Sequence, residues 1–294
     1  MTLSPAIQNI ITVLEVSLDL TIRYALFAGG LFLLFYVWKK YWYLKIQQKF
    51  PQKKHVFHEM KYSFYTLVIF GIVIVFVMWA SKNHHTLLYS PIDKYGWPYW
   101  FLSILLMVAL NDTYFYWTHR LMHLKPLFKR FHIIHHIPTN PTPFSAYCFH
   151  PVEAFMEVGI IPLIVFTIPY HLSALAIYSV YTLMLNVGGH LGFEFFPKWF
   201  AKNKISKWHN TATHHNMHHR LVKYNYGLYF NFWDRIMGTN HPHYEEAFDD
   251  VIAQREKLRP KAEHTADTGN NTLKIADVTK QNSLPADCIE EDSY

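Results

Sequence analysis

The chain has 294 residues, 51% hydrophobic, 18% aromatic and 16% charged; its apolar residues come in long runs, which argues for a membrane protein and against a soluble domain. The formal charge is +6 with neutral histidines, but the lysines gather beside apolar runs, so anionic lipid headgroups suit them better than nucleic acid. Two cysteines, Cys148 and Cys288, give no disulfide framework.

The start, Met1-Thr-Leu-Ser-Pro5, has no positive charge and no small-residue cleavage site, so no removable signal peptide is expected. Residues 6–20 are predicted to form a short amphipathic helix on the membrane surface. An uncharged span over 24–38 follows, lengthened by Thr21 and Ile22, with Lys39 and Lys40 snorkelling to the interface. A basic connector then holds Lys39, Lys40, Lys45, Lys49, Lys53, Lys54 and Lys61 against a single acid, Glu59. The run 62–81 is uncharged and spans easily. Residues 82–97, with Pro91 and Gly96, lead into a third apolar run from Tyr95 to Asn111. Its helix is expected to continue through Asp112, Tyr116, His119 and His123, which share one face. A carboxylate on the face of a histidine suggests either a partner that orients a ligand or a cap at the helix end.

Pro138, Pro141, Pro143 and Pro151 break the chain into a loop that ends at His150-Pro-Val-Glu153. Val158 to Phe193 contains no Asp, Glu, Lys or Arg and has Pro169 near its middle. It reads as a helical hairpin turning near Tyr170–Ser173, with Asn186 and His190 one turn apart on the returning helix. Residues 194–223 are polar and basic, and the tail after about Arg255 reads as disordered. The predicted fold is an all-α integral membrane protein of about four to five transmembrane helices. A cytoplasmic-side helical cap holds a histidine-rich two-metal site. N-terminal spans and connector (1–97), a catalytic region (98–254) and a polar tail (255–294) divide the chain. Lysine bias puts the connector 39–61 in the cytoplasm; counting spans from there brings every histidine box to that same side.

Those boxes organise the chain. They are His119-x3-His123, His132-x2-His135-His136 and His215-x2-His218-His219. Spacings of three and four put imidazoles on one helical face, and imidazole is the commonest metal ligand. Left without a metal, so many buried ring nitrogens would each cost about 1–3 kcal/mol. The isolated histidines His55, His58, His84, His85, His171, His241, His243 and His264 are expected on the surface or in ordinary core positions. About ten imidazoles exceed one coordination sphere, so two metals are expected, with His119, His123, His132, His135, His136, His150, His190, His215, His218 and His219 as ligands. Neutral nitrogen ligands suit a redox metal that binds dioxygen and removes hydrogen from an unactivated C–H bond, with substrate arriving from the bilayer. A metal transporter would place its ligands at the bilayer midplane, and a zinc-dependent lipid hydrolase needs only about three ligands; both fit less well.

At these residues the sequence resembles the fatty acid hydroxylase superfamily, which includes sterol desaturases, sterol methyl oxidases and sphingolipid hydroxylases. The resemblance covers about 100–240. It rests on the three boxes, Asp112, His150-Pro-x-Glu153, Asn186-x3-His190, Asn225-Tyr-Gly227 and Trp233-Asp-Arg-x-x-Gly-Thr239. It implies a non-haem di-iron, dioxygen-dependent lipid oxidoreductase, with two iron ions, or zinc when wrongly loaded. Electrons would come from a separate donor resembling cytochrome b5 or ferredoxin. Asp112 and Glu153 are expected to orient ligands. Asn186 stands where some members carry a histidine, as a weak ligand, a water holder or polar packing. His209 and His214 keep open roles, although His215 rather than His214 completes the last box.

Overall fold

The computed structural model describes residues 4–259. The tail expected to be disordered lies, from Pro260 onward, outside the described residues, as do His264 and Cys288. The order is helical throughout, and β pairing among the described residues is limited to isolated bridges.

Helix α1 (Pro5–Phe32) starts where the Ser4 hydroxyl accepts from the Ile7 N–H, and it runs on into a π-helical turn, Leu33–Val37. The surface helix expected over 6–20 and the span expected over 24–38 are therefore one helix. No breaker separates them, and the charges between them satisfy each other, Arg23 Nε lying 2.9 Å from Asp19 one turn back. Helix α2 (Lys53–Lys82) packs along α1. A Cβ on Gly71 would stand 2.0 Å from Ser17 Oγ, so the glycine permits this close approach.

Helix α3 (Gly96–Met122) is followed by a short π-helical turn, Phe128–His132, and one α-turn, Ile133–His136. The expected hairpin is present. Its outgoing leg is α4 (Pro151–Val158) and α5 (Ile160–Thr167), interrupted at Gly159, and its returning leg is α6 (Leu172–His190). The turn comes slightly earlier than expected because Ile168, ahead of Pro169, is already extended. Helices α7 (Ala212–Leu221) and α8 (Tyr244–Leu258) complete the described chain. Helix α8 passes Arg255, which donates to the Phe196 carbonyl at 2.8 Å.

Three stretches are long and apolar enough to cross a membrane: Ala6–Val37, Lys53–Lys82 and Leu172–His190. Length and composition thus support three of the four to five spans expected. Large apolar side chains such as Leu14, Leu18, Leu26, Phe64 and Val180 point outward from these helices, the surface a lipid environment requires of a membrane protein. Backbone pairing of Leu87 and Tyr89 with Val165 and Tyr170 fixes the 82–97 connector beside the hairpin turn. Helices α3 and α6 both start at that end, so both deliver their histidines to the other.

The proline-rich stretch is pinned, not loose. Tyr24 and Ser63 hydroxyls donate to the Phe144 carbonyl at 3.0 and 2.8 Å, and the Tyr36 hydroxyl donates to Pro141 and Leu191 carbonyls. Glu59 accepts from Thr142, and Lys45 Nζ donates to Asn140 Oδ1 at 2.8 Å. Polar groups of the first two helices and their connector therefore hold the loop that reaches the histidines.

Candidate metal centre

Two groups of imidazoles converge at the ends of α3 and α6. In the first, ligand nitrogens of His119, His123, His132, His136 and His218 lie within 4.8 Å of one another; in the second, those of His135, His190, His215 and His219 do. The first box, His119 and His123, enters the first group whole, whereas the last two boxes are split. One helical turn sends His132 and His136 to the first group and His135 to the second, and α7 divides His218 from His215 and His219 in the same way.

The outer nitrogens fix the rings. Nδ1–H of His119 donates to the Tyr226 carbonyl at 2.7 Å, His135 to Cys148, His190 to Asn186 at 2.8 Å and His218 to Tyr224 at 2.6 Å. His132 Nδ1 lies 2.6 Å from Glu153 Oε1, both side chains buried. These contacts set the tautomer that turns the Nε2 lone pair inward. Nε2 atoms then approach in pairs: His119 and His132 at 3.1 Å, His123 and His119 at 3.2 Å, His136 and His132 at 3.1 Å, and His190 and His215 at 2.8 Å. Burial first, and neighbouring imidazoles second, hold His132, His136, His215 and His219 well below the usual histidine range, so they are neutral near pH 7.

The donor set fits metal ions. His218 Nε2 and both nitrogens of His219 are buried without a hydrogen-bond partner, each worth about 1–3 kcal/mol if left so. Bonds of about 2.0–2.1 Å from a metal to imidazole place neighbouring ligand nitrogens about 3 Å apart, which is the spacing found here.

Nine of the ten histidines proposed from sequence enter these groups. His150 does not: it caps α4, its Nδ1 accepting from the Val152 N–H at 3.1 Å, because the adjacent Pro151 starts the helix and leaves that N–H unpaired. Asp112 does not orient His119 directly. Seven helical residues separate them by about 10 Å along the axis, and Asp112 Oδ1 instead accepts from the Tyr229 and Phe230 N–H groups at 3.3 and 3.1 Å. It anchors the loop whose Tyr226 carbonyl holds His119. Asn186 serves His190 through its backbone carbonyl, while its amide donates to Ala146. His214 turns away to Asn240 Oδ1 at 3.3 Å, and His209 to the Asn210 carbonyl.

The residues at 225–239 serve as scaffolding. Asp234 accepts from the Tyr226 and Gly227 N–H groups and from the Thr239 hydroxyl. A Cβ at Gly227 would meet the Phe230 carbonyl at 2.3 Å, so only glycine fits. Sequence reasoning missed Glu194, which receives the Thr213 N–H and hydroxyl at the start of α7; a lone acid gives no signal of such pairing. Beside both histidine groups lies a cavity of about 10 Å³, bounded also by Phe115, Phe149, Glu153, Glu157 and Asn186.

The fatty acid hydroxylase family matches residues 104–239. The chain is 31% identical to lathosterol oxidase of Rattus norvegicus over 203 residues, 66% of this chain and 65% of that protein. It is 27% identical over 192 residues to a Delta(7)-sterol 5(6)-desaturase of Gibberella zeae, covering 64% of this chain and 57% of the relative. A second such desaturase, of Schizosaccharomyces pombe, is 29% identical over 212 residues, 70% of this chain and 66% of that one. The chain thus spans 57–66% of the length of these relatives, less than two thirds of each. No solved structure matches.

Proposed function

Because the chain belongs to the fatty acid hydroxylase superfamily through residues 104–239, we propose that it is a membrane-bound, dioxygen-dependent oxidoreductase that hydroxylates or desaturates a lipid. The observation that carries this is the pair of histidine groups, five and four imidazoles, meeting at one end of apolar helices. Relatives named for sterol substrates favour desaturation of a sterol-like lipid over a fatty acyl or sphingolipid-like one.

His119, His123, His132, His136 and His218 would hold one iron ion and His135, His190, His215 and His219 the other. Bound there, the two ions would supply dioxygen reduction and the oxidising power to take hydrogen from an unactivated C–H bond. The protein's part is placement. Backbone carbonyls and Glu153 lock the rings, burial keeps the imidazoles neutral, and Phe115 and Phe149 keep the adjoining cavity largely apolar. Electrons come from a separate donor of the cytochrome b5 or ferredoxin kind, and the histidine end faces the cytoplasm, where the basic connector lies.

The test compares the lipids of a host making this chain with those of one making His135→Ala, together with metal analysis of the purified proteins. A new oxidised or desaturated lipid only with the unaltered chain, and two metal ions per chain, are expected. Identical lipid profiles, or one ion or none in folded protein, would refute the reading.

A further inference from the structure

Helix α4 presents Glu153 and Glu157 one turn apart, on one face, and both border the cavity beside the histidines. The His132 contact uses only Oε1 of Glu153. Its Oε2 is buried with no hydrogen-bond partner, in a side chain with 1% of its surface exposed. The half-buried side chain of Glu157 makes no hydrogen bond among the described residues. It is the last charged residue before the uncharged hairpin, in a setting where an ionisable side chain is costly and usually functional. Apart from five of the histidines, the rest of the wall is Phe115, Phe149 and Asn186, whose side-chain amide is already committed to Ala146. The cavity thus joins two aromatic faces to acceptor oxygens that have nothing to accept from.

We propose that Glu157, with Glu153 Oε2, binds a hydroxyl group of the lipid substrate and holds it within a few bonds of the carbon that is oxidised. This rests on the lipid-oxidation reading and narrows its substrate class. A hydroxyl supplies the missing donor, whereas a methylene of an acyl chain would leave Glu153 Oε2 buried and unpaired and offer the half-buried Glu157 nothing to accept from. The cavity has room for about one water-sized group, which a hydroxyl fills while the lipid body parts Phe115 from Phe149. A hydroxylated ring system carries its polar group next to the reacting carbons, and a fatty acyl chain carries its own far away. Glu157 is a binding and positioning residue in this scheme.

The test is a titration of zinc-loaded, redox-inert protein in lipid nanodiscs. The probes are a Delta(7)-sterol with its ring hydroxyl free and the same sterol with hydrogen in its place, against the unaltered chain, Glu157→Gln and Glu157→Leu. A hydrogen bond to a carboxylate predicts about tenfold or greater preference for the hydroxylated sterol. Glu157→Leu should abolish that preference and Glu157→Gln keep most of it. Equal binding of the two sterols by the unaltered chain, binding of neither, or a Glu157→Leu loss that is the same for both overturns the proposal; the first would leave only water in the cavity. The comparison of sterols on the unaltered chain stands even if a variant fails to fold. Turnover by the iron-loaded chain separates the two ideas: no oxidised lipid at all removes the lipid-oxidation reading, whereas oxidation indifferent to the hydroxyl removes only this site.

Discussion

Glu153 and Asp112 look alike in the sequence, each an acid near a histidine box, yet they do different things. Glu153 touches His132 at 2.6 Å, whereas Asp112 holds two backbone N–H groups of the 229–230 loop. Helical spacing identifies a shared face but not contact, and seven residues is too far for a side chain to bridge. His150 differs from the grouped histidines for a related reason: its motif neighbour Pro151 makes it a helix cap. Three variants follow. His119→Ala should lose metal. Asp112→Asn keeps an oxygen to accept both N–H groups and should retain most metal, with turnover reduced less than about tenfold. His150→Ala should keep its metal and cost about 1 kcal/mol of stability through the lost cap. Metal content of the three, purified side by side, checks this; metal loss in His150→Ala would return it to the ligand set.

At the scale of elements, the box spacings announced helices and metal ligands but not how ligands would be shared. A π-helical turn ends at His132 and one α-turn, Ile133–His136, follows it, dividing His132 and His136 from His135, and no periodicity in a five-residue box reveals that division. The joining of the two N-terminal segments into α1 was equally hidden, because a single Arg23–Asp19 pair erases a boundary that charge seemed to mark. The α1–α2 contact offers a test. Gly71→Leu must displace Ser17, which would sit 2.0 Å from the new Cβ. We expect about 1–3 kcal/mol of destabilisation from overpacking, read as a lower thermal midpoint in detergent, while Gly29→Ala, with open space around it, changes it little. Equal midpoints for the two would mean that the helices do not meet there.

For the molecule as a whole, the sequence made the membrane class and the gathering of the histidines legible, because long apolar runs and repeated histidine boxes are strong signals. The pinned proline loop was not legible, since its partners lie as far as 120 residues away, as with Tyr24 and Phe144. Acid stability is a global property too. Burial holds His214 at about 3 and its neighbours well below the ordinary value, against about 6.5 in an unfolded chain. The unfolded state therefore binds more protons below pH 6.5, so stability is full above that pH and falls as pH drops towards the folded values. Metal-free protein should lose thermal midpoint steeply from pH 6.5 to 5, and a flat profile would show that these rings are not neutral and buried. One consequence reaches beyond stability. Five imidazoles gather in one group and four in the other, so an ion in the first would be held by more protein nitrogens than an ion in the second. Ions held there would not be equivalent: a chelator should strip them in two kinetic phases, with the four-nitrogen ion leaving first, and Mössbauer spectra of the iron-loaded protein should resolve two doublets of equal area.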